Sequence, residues 1–341
     1  MKKNKFITLG ELWCFIILIC CSCSSRARFS NIANFDAKDT INPRVSYIDC
    51  YSTQADLIIL TDCYIVQNDI KTNGYQLSVY SKNTNNHLYD FAMRGHGPEE
   101  TIAMDIFQNP KHNIIEIIDQ SKYKVLKYQV SDKTASLISE NFLKLPNIGP
   151  LQEVYRHNDS IIVFNTLDSR LFSYNDIKNE VICEINFADS LGLSKGTFEK
   201  MNYHLAYYNS KIYLGFRHFN LLAGGNIDAN GGIHMDDFSK IKKMSENADE
   251  NIFHYIYVDM SDKYIMAQYM GYAPGFVQKI ANEYRAFNPK FDIEIYSNQM
   301  KPYKHIVPSV DILRCKLDKE KNTIYSWNPM DSKGNILMFD F

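Results

Sequence analysis

The sequence predicts an all-β fold, a six-bladed β-propeller closed by an N-terminal strand that joins the last blade. Three observations carry this reading. Apolar and polar residues alternate over short runs rich in Tyr, Phe, Ile and Val, the pattern of half-buried strands. A hairpin unit with a late aromatic recurs along the chain. The final unit is one strand short, and an alternating segment near the N-terminus can supply what is missing.

The recurring unit is clearest in HNIIEIIDQSKYKVLKYQV (112–130), NDSIIVFNTLDSRLFSYND (158–176) and KNTIYSWNPMDSKGNILMFDF (321–341), each of which reads polar turn, strand, polar turn, strand. Its second strand is an apolar alternation ending in an aromatic residue, seen in LSVYS (77–81), VLKYQ (125–129), LFSYN (171–175), IEIYS (293–297) and ILMFD (336–340), with YIYVD (255–259) a weaker copy. The key residues Tyr80, Tyr128, Tyr174, Val258, Tyr296 and Phe339 are 48, 46, 84, 38 and 43 residues apart. A period near ~45 residues with several short strands per unit belongs to propeller blades, and six landmarks imply six blades.

The 84-residue step is assigned to an insertion in the fourth blade, residues 220–251. That stretch is Gly-rich, then charged, and lacks strand alternation, so it is expected on the propeller surface where a short linker could replace it. Its second half, Met235 to Ala248, suits a short helix. At the end of the chain the last blade supplies 310–318, 322–329 and 335–341 and then stops. An open sheet edge invites pairing with other chains. RVSYIDC (44–50) alternates as a strand should, and is expected to lie beside 335–341 as the outer strand of the last blade.

RGHGPEE, Arg94 to Glu100, has the residues of a ligand loop: two glycines, a histidine, a proline and two carboxylates. Its place in the repeat gives it a structural meaning instead. Gly97-Pro98 precedes EETIAMDIFQ, the first strand of the second blade, and Gly149-Pro150 precedes LQEVYRH, the first strand of the third. Pro308 stands before SVDILRCKLD in the last. Proline fixes φ and cannot donate to a ladder, so it suits the passage from an outer strand to the next inner one. Gly95, Gly97, Pro98, Glu100, Gly149, Pro150 and Pro308 are therefore read as inter-blade turn residues. As a phosphate cradle the loop lacks the full glycine fingerprint, and Pro98 removes a backbone donor. His96 has no His or Cys neighbour in sequence, although a propeller brings distant residues such as His112, His204 or His218 towards its axis.

Other motifs fail on context. GLSKG (192–196) matches G-x-S-x-G with Ser194 as nucleophile, but that motif needs a strand-to-helix elbow in a parallel α/β sheet, and its surroundings here are hairpins. DANGGIHMDD (228–237) has the oxygen-rich composition of a calcium loop, yet the third ligand position falls on Gly232 and the glycine position on Ile233. No catalytic residue, metal ligand or cofactor is assigned.

The N-terminus carries an address. Basic Met1-Lys2-Lys3-Asn4-Lys5 precedes an apolar run, Leu12 to Cys23, of twelve residues, which suits a signal peptide and falls short of the ~20 needed to span a bilayer. The cysteines crowding its end resemble the lipobox of bacterial lipoproteins, in which the cysteine after the cut is acylated. Cys23, behind the small Ser22, fits best. The expected organisation is a signal peptide at 1–22, a tether at 23–42 and the propeller at 43–341. Removing 1–22 takes away three lysines and one glutamate, leaving 34 basic against 38 acidic residues, so nothing offers the basic surface of a nucleic-acid binder. Cys50, Cys63, Cys183 and Cys315 remain; an exported chain could oxidise them, and three pairings are open. Without a CxxC, zinc is not expected.

The lipoprotein start, the blade-length repeat, RGHGPEE after the first blade, and the ending that runs from YIMAQYMGY to NILMFDF together resemble the TolB-like six-bladed β-propeller lipoproteins of Bacteroidota. Members commonly carry a G-x-G-P-x-E turn, and Gly95, Gly97, Pro98 and Glu100 fit it. The resemblance covers roughly 43–341 and implies a fold and an envelope location, but no settled activity, so it transfers no catalytic residue. SSRARFS after the acylation site lacks the acidic residues that accompany surface display in some lipoproteins, which favours an outer-membrane anchor facing the periplasm. Two functional classes follow. One is a non-enzymatic binding or scaffold module held to the membrane by lipid, with a protein, peptide or glycan ligand. The alternative is an envelope hydrolase or lyase with a metal at the axis, which would need His and carboxylate side chains from three or more blades to converge there. Lipid on Cys23 would anchor the chain without spanning the membrane. Incorporation of labelled palmitate is expected to be lost in Cys23→Ala; unchanged labelling would move the anchor elsewhere.

Overall fold

A computed structural model describes residue 35 and residues 38–50, 57–68, 74–102, 104–108, 113–145, 148–190, 201–246, 248, 252–272, 291–310, 312, 314–327 and 335–341. The first strands are β1 (Lys38–Ile41) and β2 (Arg44–Ser46). Blade 1 follows with β3 (Leu57–Ile59), β4 (Cys63–Gln67), β5 (Tyr75–Ser81) and β6 (His87–Met93), and blade 2 with β7 (Met104–Gln108), β8 (Ile114–Asp119), β9 (Lys124–Val130) and β10 (Ala135–Phe142). Blade 3 has β11 (Leu151–Arg156), β12 (Ile161–Thr166), β13 (Arg170–Asn175) and β14 (Glu180–Asn186). Blade 4 has β15 (Tyr203–Tyr208), β16 (Lys211–Phe216), β17 (Leu222–Ile227) and β18 (Ile233–Met235). Blade 5 has β19 (Phe253–Met260), β20 (Tyr264–Tyr272), β21 (Asp292–Ser297) and β22 (Pro302–Pro308), and blade 6 has β23 (Arg314–Leu317), β24 (Thr323–Trp327) and β25 (Ile336–Asp340). These are antiparallel meanders. Their first strands β7, β11, β15, β19, β23 and β3 touch in that order around the axis.

Strand alternation builds the ring because each blade has two neighbours. In β4, Cys63 and Ile65 enter an apolar cluster shared with blade 2, whereas Tyr64 and Val66 enter one shared with blade 6. Four further clusters fill the interfaces between blades 2 and 3, 3 and 4, 4 and 5, and 5 and 6. A residue-by-residue switch of side is what period-2 geometry delivers, and both faces of every sheet are thereby buried.

The landmark aromatics have one location. In every blade the second residue of the second strand pairs with the landmark position: Tyr64 with Tyr80, Ile115 with Tyr128, Ile162 with Tyr174, Ile265 with Tyr296 and Ile324 with Phe339. Each aromatic faces the preceding blade. Val258, taken as the fourth-blade landmark, instead lies in the inner strand of blade 5. The equivalent of the aromatic in blade 4 is Gly225, paired with Ile212. The ring has six blades, and the Val258 landmark belongs to an inner strand.

The same glycine explains why 220–251 does not form an insertion. Leu222–Ile227 and Ile233–Met235 are the third and fourth strands of blade 4, hidden from a search for alternation because glycines occupy the paired positions. A Cβ on Gly225 would sit 2.6 Å from the His234 carbonyl oxygen and 2.8 Å from Met235 Sδ, so no aromatic fits. Met235 and, from the helix Phe238–Ser245, Phe238 and the fully buried Ile241 fill the interface with blade 3 in its stead. The helix falls within the 235–248 segment expected to hold one.

The N-terminal segment closes the ring. β2 pairs antiparallel with β25 (Arg44 with Met338, Val45 with Leu337, Ser46 with Ile336), which gives blade 6 its fourth strand. Ile48, fully buried against Tyr64, Tyr80, Trp327 and Ile336, donates its N–H to Asn335 Oδ1 at 2.9 Å and accepts from Asn335 Nδ2 at 2.7 Å. The chain reaches blade 1 as well, where Tyr80 donates to the Asp49 carbonyl and Asn85 to Ser46 Oγ. β1, at the end of the expected tether, adds in parallel to β22 and makes blade 5 five-stranded. It carries no alternation because three of its four residues are exposed. Pro308 is the last residue of β22 and pairs with Ile41 across this ladder.

Closure is expected to rest on the buried contacts and not on the surface ion pair of Arg44 with Asp340, where both side chains are more than half exposed. Asn335→Ala strands two buried backbone groups and should cost about 2–4 kcal/mol in urea unfolding, whereas Arg44→Ala should cost under about 1 kcal/mol. The reverse ranking would overturn this account of the seam.

Candidate functional site

Charged and aromatic side chains from four successive blades meet where the chain enters the inner strands of blades 3 to 6. Local backbone irregularity sets their positions. β11 shifts register between Leu151 and Val154, so Gln152 and Glu153 form a bulge, and Asn165 Oδ1 accepts the Glu153 N–H at 2.9 Å. β19 shifts register twice between Phe253 and Tyr257. Bulges re-aim side chains and concentrate next to functional sites.

From the blade 3 bulge, the Glu153 carboxylate accepts His204 Nδ1–H at 2.7 Å and the Leu205 N–H at 3.4 Å. On the other side of the imidazole, Arg217 Nη2 donates to His204 Nε2 at 3.2 Å. These contacts place the ring proton on Nδ1 and make a chain of carboxylate, imidazole and guanidinium across two blades. Arg217 is itself fixed by its backbone, which donates to the Asn202 carbonyl and accepts from His254 N–H of blade 5. Its guanidinium stacks 5.2 Å from the centre of the Phe253 ring, which also meets His218 edge-on. In the next interface Arg314 lies 4.5 Å from the centre of the Tyr257 ring, and Lys316 Nζ donates to the Tyr257 hydroxyl at 2.6 Å. The His204 and Tyr257 rings stand 6.3 Å apart and join the two groups.

Burial pushes the Glu153 carboxyl up, but the His204 imidazole, its hydrogen bond and the Arg314 charge more than offset this and hold it below the usual carboxylate range. Burial lowers the Arg217 guanidinium from its ordinary value, with the Glu153 charge acting the other way. Asp259, one step along β19, is likewise held low against burial by Lys319 and Lys316, and it accepts the Leu317 N–H of blade 6. A different solution appears between blades 2 and 3: Arg156 grips the fully buried Glu116 with Nε at 3.1 Å and Nη2 at 2.5 Å, and Asp176 with Nη1 at 2.7 Å. That guanidinium is matched twice over.

The loop RGHGPEE lies between β6 and β7. Gly97 N–H donates to Glu100 Oε2 at 2.7 Å, Gly95 N–H donates to the Thr101 carbonyl, and Lys122 and Lys124 reach the carbonyls of His96 and Glu100. A Cβ on Gly95 would collide with the Glu100 carboxylate, and one on Gly97 would stand 3.0 Å from it. The loop thus holds an anion after all, its own. Pro98 sits within it and is exposed. Before β11, a Cβ on Gly149 would come 3.1 Å from the Asp168 carboxylate, and the Pro150 carbonyl accepts the Leu167 N–H at 3.0 Å. Asp228 closes its own hairpin in the same manner, accepting from Asn230 and Gly232 N–H.

Among the histidines weighed on sequence, His204 and His218 lie buried within the four-blade group of side chains, His96 is exposed elsewhere, and His112 lies outside the described residues. Cys23 and the GLSKG segment with Ser194 also lie outside them. No group of three His, Cys, Asp or Glu side chains among the described residues could hold a metal ion. Cys63, Cys183 and Cys315 are free thiols, with burial raising Cys63 to about 11 and Cys315 to about 12. Among the described residues no helix is long and apolar enough to cross a membrane. Sequence reasoning missed Glu153, Arg217, Tyr257, Arg314 and Lys316. The available signal was charge inside strand alternation, as in RCKL, where Arg314 and Lys316 alternate with buried Cys315 and Leu317.

No family model matches the chain, and no curated protein matches it. Among solved structures it is similar to a candidate exported protein from Bacteroides fragilis, with a TM-score of 0.54 at 12% identity over 90% of this chain and 97% of that one. It is also similar to the β-propeller domain of Cps50 (Swd1) from Myceliophteria thermophila, with a TM-score of 0.50 at 8% identity over 88% of this chain and 99% of that one. The fold is a β-propeller.

The lowered Glu153 carboxyl has a signed consequence. A carboxyl whose folded value lies below its unfolded one stabilises the fold above the unfolded value and ceases to do so as pH falls through the folded value. Glu153→Gln is expected to cost about 2 kcal/mol at neutral pH, with the gap to the parent protein narrowing as pH drops below the ordinary carboxylate range. A gap independent of pH, in denaturant melts at several pH values, would show that the glutamate carries no charge there.

Proposed function

We propose that the chain is a lipid-anchored envelope protein of the TolB-like propeller kind, held at the outer membrane through Cys23 and facing the periplasm, and that it acts as a binding module. Its ligand site is the channel mouth. The observation that carries this reading is the convergence of Glu153, His204, Arg217, Tyr257, Arg314 and Lys316 from four blades onto one end of the inner strands. Support for export comes from the basic start, the twelve-residue apolar run with its terminal cysteines, and the likeness in fold to the candidate exported protein of B. fragilis.

The site has the start of a catalytic relay and lacks its end. A carboxylate orienting an imidazole activates a nucleophile only when a hydroxyl, thiol or water occupies the other ring nitrogen. Here a guanidinium donor occupies His204 Nε2, and a protonated donor cannot be activated by a base. The metal-centred hydrolase or lyase asks for histidines and carboxylates from three or more blades, and among the described residues no group of three His, Cys, Asp or Glu side chains could hold a metal ion. The geometry is that of a rigid, charged seat.

The experiment is affinity capture of the tethered, full-length protein from its native envelope, with the double variant His204→Ala, Arg314→Gln beside an outer-face variant, Ile177→Ser. A ligand retained by the outer-face variant and lost from the channel variant supports the reading. Capture unaffected by the channel variant, or turnover of ester or glycoside probes abolished by it, would overturn it.

A further inference from the structure

Resting on that reading of the channel mouth as the binding site, we infer that the site binds the oxyanion group, carboxylate or phosphate, of an acidic ligand, with Arg217 as its anchor. Two other arginines, one buried and one half-buried, are matched by carboxylates, whereas Arg94, in the turn between blades 1 and 2, shares with Arg217 a buried Nε without an acceptor. Arg156 satisfies Glu116 and Asp176, and Arg170 satisfies Asp168 and Glu184. Among the described residues Arg217 touches no carboxylate. Its one side-chain hydrogen bond there is to His204 Nε2, its Nε is buried without an acceptor, and its guanidinium carbon lies 5.2 Å from the centre of the Phe253 ring. A desolvated guanidinium offers five donors in a planar fork, and leaving them unmatched is costly. The fold keeps it there regardless, with its backbone tied to both blade 4 and blade 5.

Charge near the mouth points the same way. Of the residues described at this site, Arg217, Arg314, Lys316 and Lys319 stand against Glu153 and Asp259, the latter paired with Lys319 and held low by Lys316 as well, while the whole chain has a formal net charge of −2. A positive locus on a net negative protein is not a by-product of composition. Glu153 lies behind the imidazole, accepts from His204 and the Leu205 N–H, and offsets one of these positive charges. Cations already stand over the Phe253 and Tyr257 rings. Planar forks match the paired oxygens of carboxylate and phosphate.

The test is calorimetric titration of the lipid-free chain, residues 24–341, with sodium glucuronate, inorganic phosphate and neutral glucose at low ionic strength. At least one oxyanion is expected to bind saturably, to weaken as salt is raised, and to lose about tenfold in affinity in Arg217→Gln, the size of one lost charge-assisted pair. Which of the two binds separates a carboxylate-bearing glycan from a phosphate-bearing ligand. Should Arg217→Gln fail to fold, Arg314→Gln at the neighbouring interface carries the same test with a several-fold loss. Absence of saturable binding by both oxyanions, or binding indifferent to these variants, would overturn the inference. A neutral ligand captured through the channel mouth from the envelope would sink it while leaving the binding module standing.

Discussion

A ring of sheets has one seam, and everything in this structure that depends on the axis depends on how that seam is held. Three strands from the C-terminal blade leave β25 with an unpaired edge, and an unpaired edge costs hydrogen bonds and invites foreign strands. β2 covers it from the other end of the chain, and the segment around it touches blade 5 through β1, blade 6 through β2 and Ile48, and blade 1 through Asp49 and Ser46. The seam is therefore not a single ladder but a strap across three blades. Its exposed Arg44–Asp340 pair is worth little in water, whereas Ile48 and Asn335 are buried and hydrogen-bond each other.

Closure fixes the positions of the inner strands, and the mouth of the channel inherits that precision. Glu153, His204, Arg217, Tyr257, Arg314 and Lys316 are far apart in sequence, so no local geometry could hold them in register. The interfaces do. The same apolar clusters that pack blade 3 on blade 4 and blade 5 on blade 6 set the separation of β11 from β15 and of β19 from β23. Bulges in β11 and β19 then interrupt the strict alternation of the inner strands and re-aim their side chains.

This division explains what could be read from the sequence. The fold was legible because the interface side chains recur once per blade: Tyr80, Tyr128, Tyr174, Tyr296 and Phe339 hold one structural position, and the seam strand at 44–46 alternates. Blade 4 was illegible where Gly224 and Gly225 replace the pattern, since close packing against Tyr213 and Met235 leaves no room for the side chains that would have announced a strand. β1 escaped notice because an exposed parallel edge strand needs no alternation. The mouth was illegible for a different reason. Its residues come one or two per blade with no repeat, and RCKL or LQEVYR reads as an ordinary strand until the neighbouring blade is in place.

RGHGPEE shows why composition misleads about anion sites and what replaces it as a criterion. The loop has the glycines of a cradle because something must lie close to its backbone, and that something is the Glu100 carboxylate, accepting from Gly97 N–H and lying where side chains on Gly95 and Gly97 would be. Gly149 beside Asp168 and the Asp228 hairpin repeat the arrangement with other residues. In each case the donors are consumed by an acid of the same chain, as Arg156 is consumed by Glu116 and Asp176. Glycine and charge therefore do not distinguish a binding site in this fold from a self-satisfied turn. Satisfaction does: a half-buried guanidinium whose only side-chain acceptor among the described residues is a ring nitrogen, with its Nε buried and unmatched, is a donor set that those residues leave incomplete.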